Sequence, residues 1–232
     1  MNAWDLVKKG HYEEAVALLS KEVQAEPSTL VLNNRGSAYL HLGKFDAALA
    51  DFLKADKMSS AETRTACNGA KCGVALWMAG REEEAITTWR HGVEASLAGL
   101  VVYADLAGGV TIGNLLMFGA TSREDEEAGK LAAKLLTKRL RTKQSSAWPG
   151  PASRYLLSEF QESEMLATVS TVPILRERQM CQAQFYIGVR ALMDGDMVGF
   201  TAAIVQSFEF GRVSKIEAEY YLSLHEKNRI RV

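Results

Sequence analysis

A short string of residues occurs three times in the first hundred positions, and it constrains the fold more than any other feature. Each copy begins with glycine and ends with alanine and an aliphatic residue: Gly-His-Tyr-Glu-Glu-Ala-Val at 10–16, Gly-Lys-Phe-Asp-Ala-Ala-Leu at 43–49 and Gly-Arg-Glu-Glu-Glu-Ala-Ile at 80–86. The three glycines are therefore 33 and 37 residues apart. Such a period indicates a repeated supersecondary unit that buries its apolar face only by stacking on its neighbours.

The residues around each glycine favour a helical hairpin. Gly43 can adopt the left-handed conformation that ends a helix, and apolar residues recur every three or four positions after it. The small residues Gly36 and Ala48 would let two helices approach closely, while Tyr39 and Phe52 would fill the space around them. The sequence therefore predicts an all-α protein of antiparallel helical hairpins.

Together, the three units resemble tetratricopeptide repeats (TPR), which have a period of about 34 residues. The resemblance covers roughly residues 1–95 and implies a right-handed TPR-like solenoid that binds another protein. The first unit departs from the pattern, because its first helix has a length of only about two turns. A last helix, from Ser214 to about His225, is expected to cap the solenoid.

The rest of the chain is less regular, and we divide it into two parts. Residues 96–145 are predicted to form a longer, irregular helical hairpin, with one helix over about 97–118 and another beginning near Ser122. Residues 146–232 are predicted to be a degenerate TPR-like section with a long helix from Pro173 to Leu192 and the capping helix. This section resembles bacterial TPR proteins related to lipoproteins that scaffold cell-wall hydrolases, at Trp148, Tyr155, Leu156, Phe185, Tyr186, Gly188, Gly195, Asp196, Glu219 and Tyr220.

Charge and cysteine content favour a cytoplasmic protein that binds neither nucleic acid nor a membrane. The formal net charge is −1, which gives no general attraction to polyanions. Residues 96–120 carry one charged side chain, but their glycines and polar residues suit a packed helix better than a membrane span. No basic start followed by an apolar run opens the chain, so no secretory signal is expected. The three cysteines, Cys67, Cys72 and Cys181, are expected to be reduced and structural.

The sequence carries no recognisable motif for catalysis or for cofactor binding. The four histidines stand outside metal-binding motifs, and Cys67 and Cys72 are too far apart for a zinc knuckle. A phosphate-binding glycine loop and a nucleophile elbow are also missing. Runs of acidic residues, such as 82–84 and 125–127, suit the N-termini of helices. We therefore expect no metal, no cofactor and no enzymatic activity.

A partner protein is expected in the concave groove that the first helices of the hairpins would line. The candidate residues are Asn34, Leu40, His41, Lys71, Trp77 and Met78. Trp77 is the predicted anchor, because buried tryptophans often dominate interface energies. An alternative is that Trp77 packs against the following hairpin.

The sequence leaves open the role of one basic stretch and the choice between three functions. The basic stretch Lys134–Lys143 is either a solvated helix end or a docking patch for an acidic partner. The favoured function is an adaptor or scaffold. The alternatives are an immunity protein that neutralises a toxin in a bacterial competition system, and an enzyme with an unrecognised site.

Overall fold

A computed structural model describes residues 2–62, 69–101 and 107–230 of the chain. Within these ranges the chain is helical and contains no strand, which confirms the all-α prediction. The elements are α1 (Ala3–Lys9), α2 (Tyr12–Ala25), α3 (Thr29–His41), α4 (Phe45–Glu62), α5 (Gly69–Met78), α6 (Glu82–Leu97), α7 (Thr111–Ser122), α8 (Glu126–Arg139), a 3-10 turn (Lys143–Ser146), α9 (Gly150–Leu156), α10 (Glu162–Ala167), α11 (Pro173–Met193), α12 (Met197–Gly211) and α13 (Ala218–Ile230).

Successive helices pack in neighbouring pairs, as expected for a TPR-like helical solenoid. Gly10, Gly43 and Gly80 separate the two helices of the first three hairpins, and each has a positive φ, of 82°, 68° and 75°. The left-handed region is strained for residues with a Cβ, so these glycines allow the tight turns. The repeated string at the sequence level therefore marks the turn of each hairpin.

The contact between the two helices of a hairpin depends on the small residues that the sequence predicted. A Cβ added to Gly36 would lie 2.5 Å from Cε1 of Phe52, on the facing helix. The aligned residues Ala15, Ala48 and Ala85 are completely buried. Larger side chains at these positions would push the helices apart, because protein interiors are close-packed.

Three predicted helix boundaries differ from the structure. The prediction of one helix over about 97–118 is wrong for the described residues between Leu97, where α6 ends, and Thr111, where α7 begins. Gly99, Gly108 and Gly109 in between have φ values of 72°, 76° and 90°, which are incompatible with a helix. The next helix is capped by Asp125, which accepts a hydrogen bond from the Ala128 amide, and does not begin near Ser122. The last helix starts four residues after Ser214.

The last helix, α13, packs against helices that are far from it in the sequence. It packs on α12 and α11, and it also contacts α5 of the third hairpin. Leu222 in its centre is completely buried, and one continuous apolar core extends from Leu40 to this residue. A separate smaller core holds α1 and α2 together. The three-part division at 95 and 145 stays a prediction.

Candidate functional site

Trp77, the predicted anchor, is completely buried beneath α13. Its indole nitrogen donates a hydrogen bond to Oε1 of Glu226, 2.9 Å away and 149 residues later in the chain. Its ring also lies 4.8 Å from the ring of Phe118 in α7, measured between centroids. The structure therefore favours the alternative in which Trp77 packs against the following hairpin. In this conformation its side chain is not accessible to a partner.

Three of the other candidates, Leu40, His41 and Lys71, come together in one pocket. Asn34 and Met78 are partly buried but do not belong to its lining. The pocket has a volume of about 210 Å³ and receives a residue from each of α1, α3, α5 and α7, the first helices of four hairpins. We call it the first-helix pocket. Its lining consists of Trp4, Ser37, Leu40, His41, Phe52, Ala70, Lys71, Val74, Thr111, Lys215, Ile216, Ala218 and Tyr221.

The opposite wall of this pocket comes from the end of the chain. Lys215 and Ile216 belong to the loop before α13, and Ala218 and Tyr221 belong to the first turns of that helix. Ile216 keeps 38% of its surface exposed, so the wall has a solvent-facing apolar edge. The pocket is therefore formed jointly by the repeats and by the C-terminal segment.

A hydrogen bond between His41 and Tyr221 joins the two walls. The Tyr221 hydroxyl lies 3.0 Å from Nε2 of His41 and also donates to the carbonyl oxygen of Lys215, 3.1 Å away. His41 stacks on Tyr12, with 4.2 Å between ring centroids. Burial, and secondarily the positive charge of Lys215, lower the pKa of His41 to about 4. The imidazole is therefore neutral at neutral pH, and it acts as a structural hydrogen-bonding partner.

Lys71 is exposed to solvent and places a cation at the edge of a mostly apolar environment. Its ammonium nitrogen lies 5.7 Å from the centre of the Phe52 ring. Partial burial lowers the pKa of Lys71, because the surrounding apolar groups solvate the charged form poorly. Neither Lys71 nor Lys215 forms an ion pair with a carboxylate among the residues that the structure describes. The described lining contains no Asp or Glu, so this part of the pocket combines apolar walls with positive charge.

Sequence reasoning missed the C-terminal half of the pocket. His41 and Tyr221 are 180 residues apart, and no periodicity connects them. The only sequence signal in the segment around Glu219 and Tyr220 was its resemblance to other TPR proteins. Its position beside α3 and α5 follows from how the whole array curves.

Two side chains of the basic stretch Lys134–Lys143 have a structural role. Lys138 donates to the carbonyl oxygen of Leu97, 3.2 Å away, and Arg139 donates to Oγ of Ser96 at 2.7 Å. Both cations therefore lie at the C-terminus of α6, where the helix dipole favours positive charge. A docking patch on the remaining basic residues stays a prediction.

The buried cysteines and the apolar segments agree with a packed helical protein. Cys72 and Cys181 are both buried, and burial raises the pKa of the Cys181 thiol. Cys67 lies outside the described residues. Within the described part of the chain, no helix is both long enough and apolar enough to span a membrane.

Comparison with protein families identifies the repeats at the N-terminus. Residues 1–62, which contain α1 to α4, match the family model described as tetratricopeptide repeat. This segment therefore consists of tetratricopeptide repeats, as the sequence pattern predicted. A comparison with curated proteins gives no match.

Proposed function

We propose that this chain is a non-catalytic adaptor or scaffold that binds a segment of a partner protein in the first-helix pocket. Tetratricopeptide repeats generally mediate protein–protein interactions. The observation that carries the proposal is an apolar pocket on the first helices, lined by Leu40, His41 and Lys71 and left unfilled by the residues that the structure describes. Asn34 and Met78 would contact a partner only if it extended beyond this pocket.

The chemistry of the pocket suits recognition better than catalysis. General acid–base catalysis needs a group whose pKa is near the working pH and which can reach the substrate. Here no carboxylate belongs to the lining in the described part of the chain, and His41 is held neutral by burial and bonded to Tyr221. Apolar walls with a few polar groups instead provide shape and orientation for a bound side chain. Repeat proteins of this family are also typically non-catalytic.

Site-specific photo-crosslinking in the native host tests the location of the interface. A crosslinking amino acid at Ile216, at the exposed edge of the pocket, should capture one partner protein. The same amino acid at Val198, which is 81% exposed on α12 and lies outside the pocket lining, is the matched control. Equal capture at both positions, or capture only at Val198, would place the interface elsewhere.

The identity of the captured protein decides between the two non-catalytic alternatives. An assembly of cellular proteins would support the adaptor. A secreted toxin whose activity the chain blocks would support the immunity function. In either case, filling the pocket with Ala70→Trp should reduce the crosslink at Ile216, because Ala70 contributes to the pocket wall.

A further inference from the structure

The C-terminal segment contributes charge as well as shape to the first-helix pocket. Lys215 stands on one wall and Lys71 on the other, and the pKa of the neighbouring His41 is lowered by burial and, to a smaller extent, by the charge of Lys215. Among the described residues, no carboxylate pairs with either lysine, although the chain as a whole has a net charge of −1. The positive charge of the pocket is thus local and not a property of the whole surface.

Cations with reduced hydration favour an anionic ligand. An ammonium group that has lost part of its hydration regains favourable interactions when a carboxylate approaches it. The aromatic and aliphatic groups that line the pocket together with the two lysines, including Phe52, Val74 and Ile216, favour an apolar side chain in the same space. A ligand with both features would match the pocket in charge and in polarity.

We propose that the repeats and the segment Lys215–Tyr221 form a joint site for an acidic peptide segment, in which an apolar side chain enters the pocket and adjacent Asp or Glu side chains face Lys71 and Lys215. This inference rests on the proposed function and specifies the partner's chemistry. Both lysines lie outside the segment matched by the tetratricopeptide repeat model, which ends at residue 62. Lys215, Ile216 and Tyr221 then determine specificity, together with Lys71.

Selection from a random peptide library displayed on phage tests the proposal directly and needs no identified partner. The bait is the full chain, and the library peptides are displayed internally, so that only side-chain carboxylates contribute acidity. Enriched peptides should carry Asp or Glu within one or two positions of a large apolar residue. Their affinity should fall by roughly tenfold or more for Lys71→Glu/Lys215→Glu.

A charge-matched variant separates the local effect from a change of net charge. Lys54→Glu/Lys134→Glu alters the total charge equally, at two exposed lysines outside the pocket, and should leave the affinity within about twofold of wild type. Circular dichroism shows whether each variant is folded, and Lys71→Met/Lys215→Met provides a milder change if charge reversal disturbs the fold.

The outcomes separate this inference from the proposed function. Neutral or basic enriched peptides, or equal losses in both double variants, would overturn the acidic ligand. If a partner is nevertheless crosslinked at Ile216 and not at Val198, the proposed adaptor function is kept and only the acidic nature of the ligand is rejected. If library peptides fail to bind in a pocket-dependent manner and the crosslink at Ile216 also fails, both proposals are wrong.

Discussion

Replacing Gly73 by alanine should destabilise the protein, although alanine is a better helix former. Gly73 lies in α5, and a Cβ at this position would come closer than 3.0 Å to Nε1, Cε2 and Cδ1 of Trp89. Real Cβ atoms essentially never approach other atoms so closely. The Trp89 ring is completely buried, stacks on Trp77 and donates to the carbonyl oxygen of Ala70, so it has little freedom to move away.

Two opposing terms determine the size of the effect. Overpacking a close-packed contact costs typically ~1–3 kcal/mol. Replacing glycine by alanine within a helix gains ~0.5–1 kcal/mol from backbone entropy. The difference is a loss of up to ~2.5 kcal/mol in the free energy of unfolding, and each kcal/mol lowers Tm by roughly 2–4 °C for a chain of this size.

Gly129→Ala is the matched control, because it makes the same substitution in another helix. A Cβ at Gly129 would meet only Cβ of Ala120, at 3.9 Å, which is an ordinary van der Waals distance. Only the helix-propensity gain remains, so this variant should be more stable than wild type by ~0.5–1 kcal/mol. Thermal melts followed by far-UV circular dichroism measure both variants. A Gly73→Ala variant that melts as high as Gly129→Ala would refute the argument from close helix contact.

Two further variants test the buried contacts of the array. Ala48→Leu should cost ~1–3 kcal/mol, because Ala48 is completely buried, and a melt within a degree of wild type would contradict our alignment of the repeats. Glu219→Gln tests a buried carboxyl that accepts hydrogen bonds from Tyr186 and Gln182, and whose pKa is raised from 4.5 to about 7 by burial. Since the folded pKa exceeds the unfolded value, this group contributes stability below about pH 4.5 and loses it as the pH rises through 7. Melts between these pH values should therefore show a decline in wild type that is weaker in Glu219→Gln, and equal slopes would show that Glu219 does not titrate in this range.

The sequence determined the local architecture of this protein because the relevant signals are local. The turn glycines, such as Gly43, act through their own φ values, and the small residues act on the facing helix of the same hairpin, as Gly36 does on Phe52. Both effects recur with the repeat, so they could be read from three aligned copies. The apolar stretch after Leu97 was less informative, because hydrophobicity alone does not distinguish a turn from a helix.

Only the tertiary structure decided which first-helix residues are available to a partner. Leu40, His41 and Lys71 were correctly placed on the first helices, but the sequence did not show that α13 returns to the third hairpin and covers Trp77. That return depends on the small rotation between successive hairpins, accumulated over the whole array and fixed by side-chain packing at every interface. Contacts such as His41 with Tyr221 are consequences of this accumulated curvature, and no short-range pattern in the sequence encodes them.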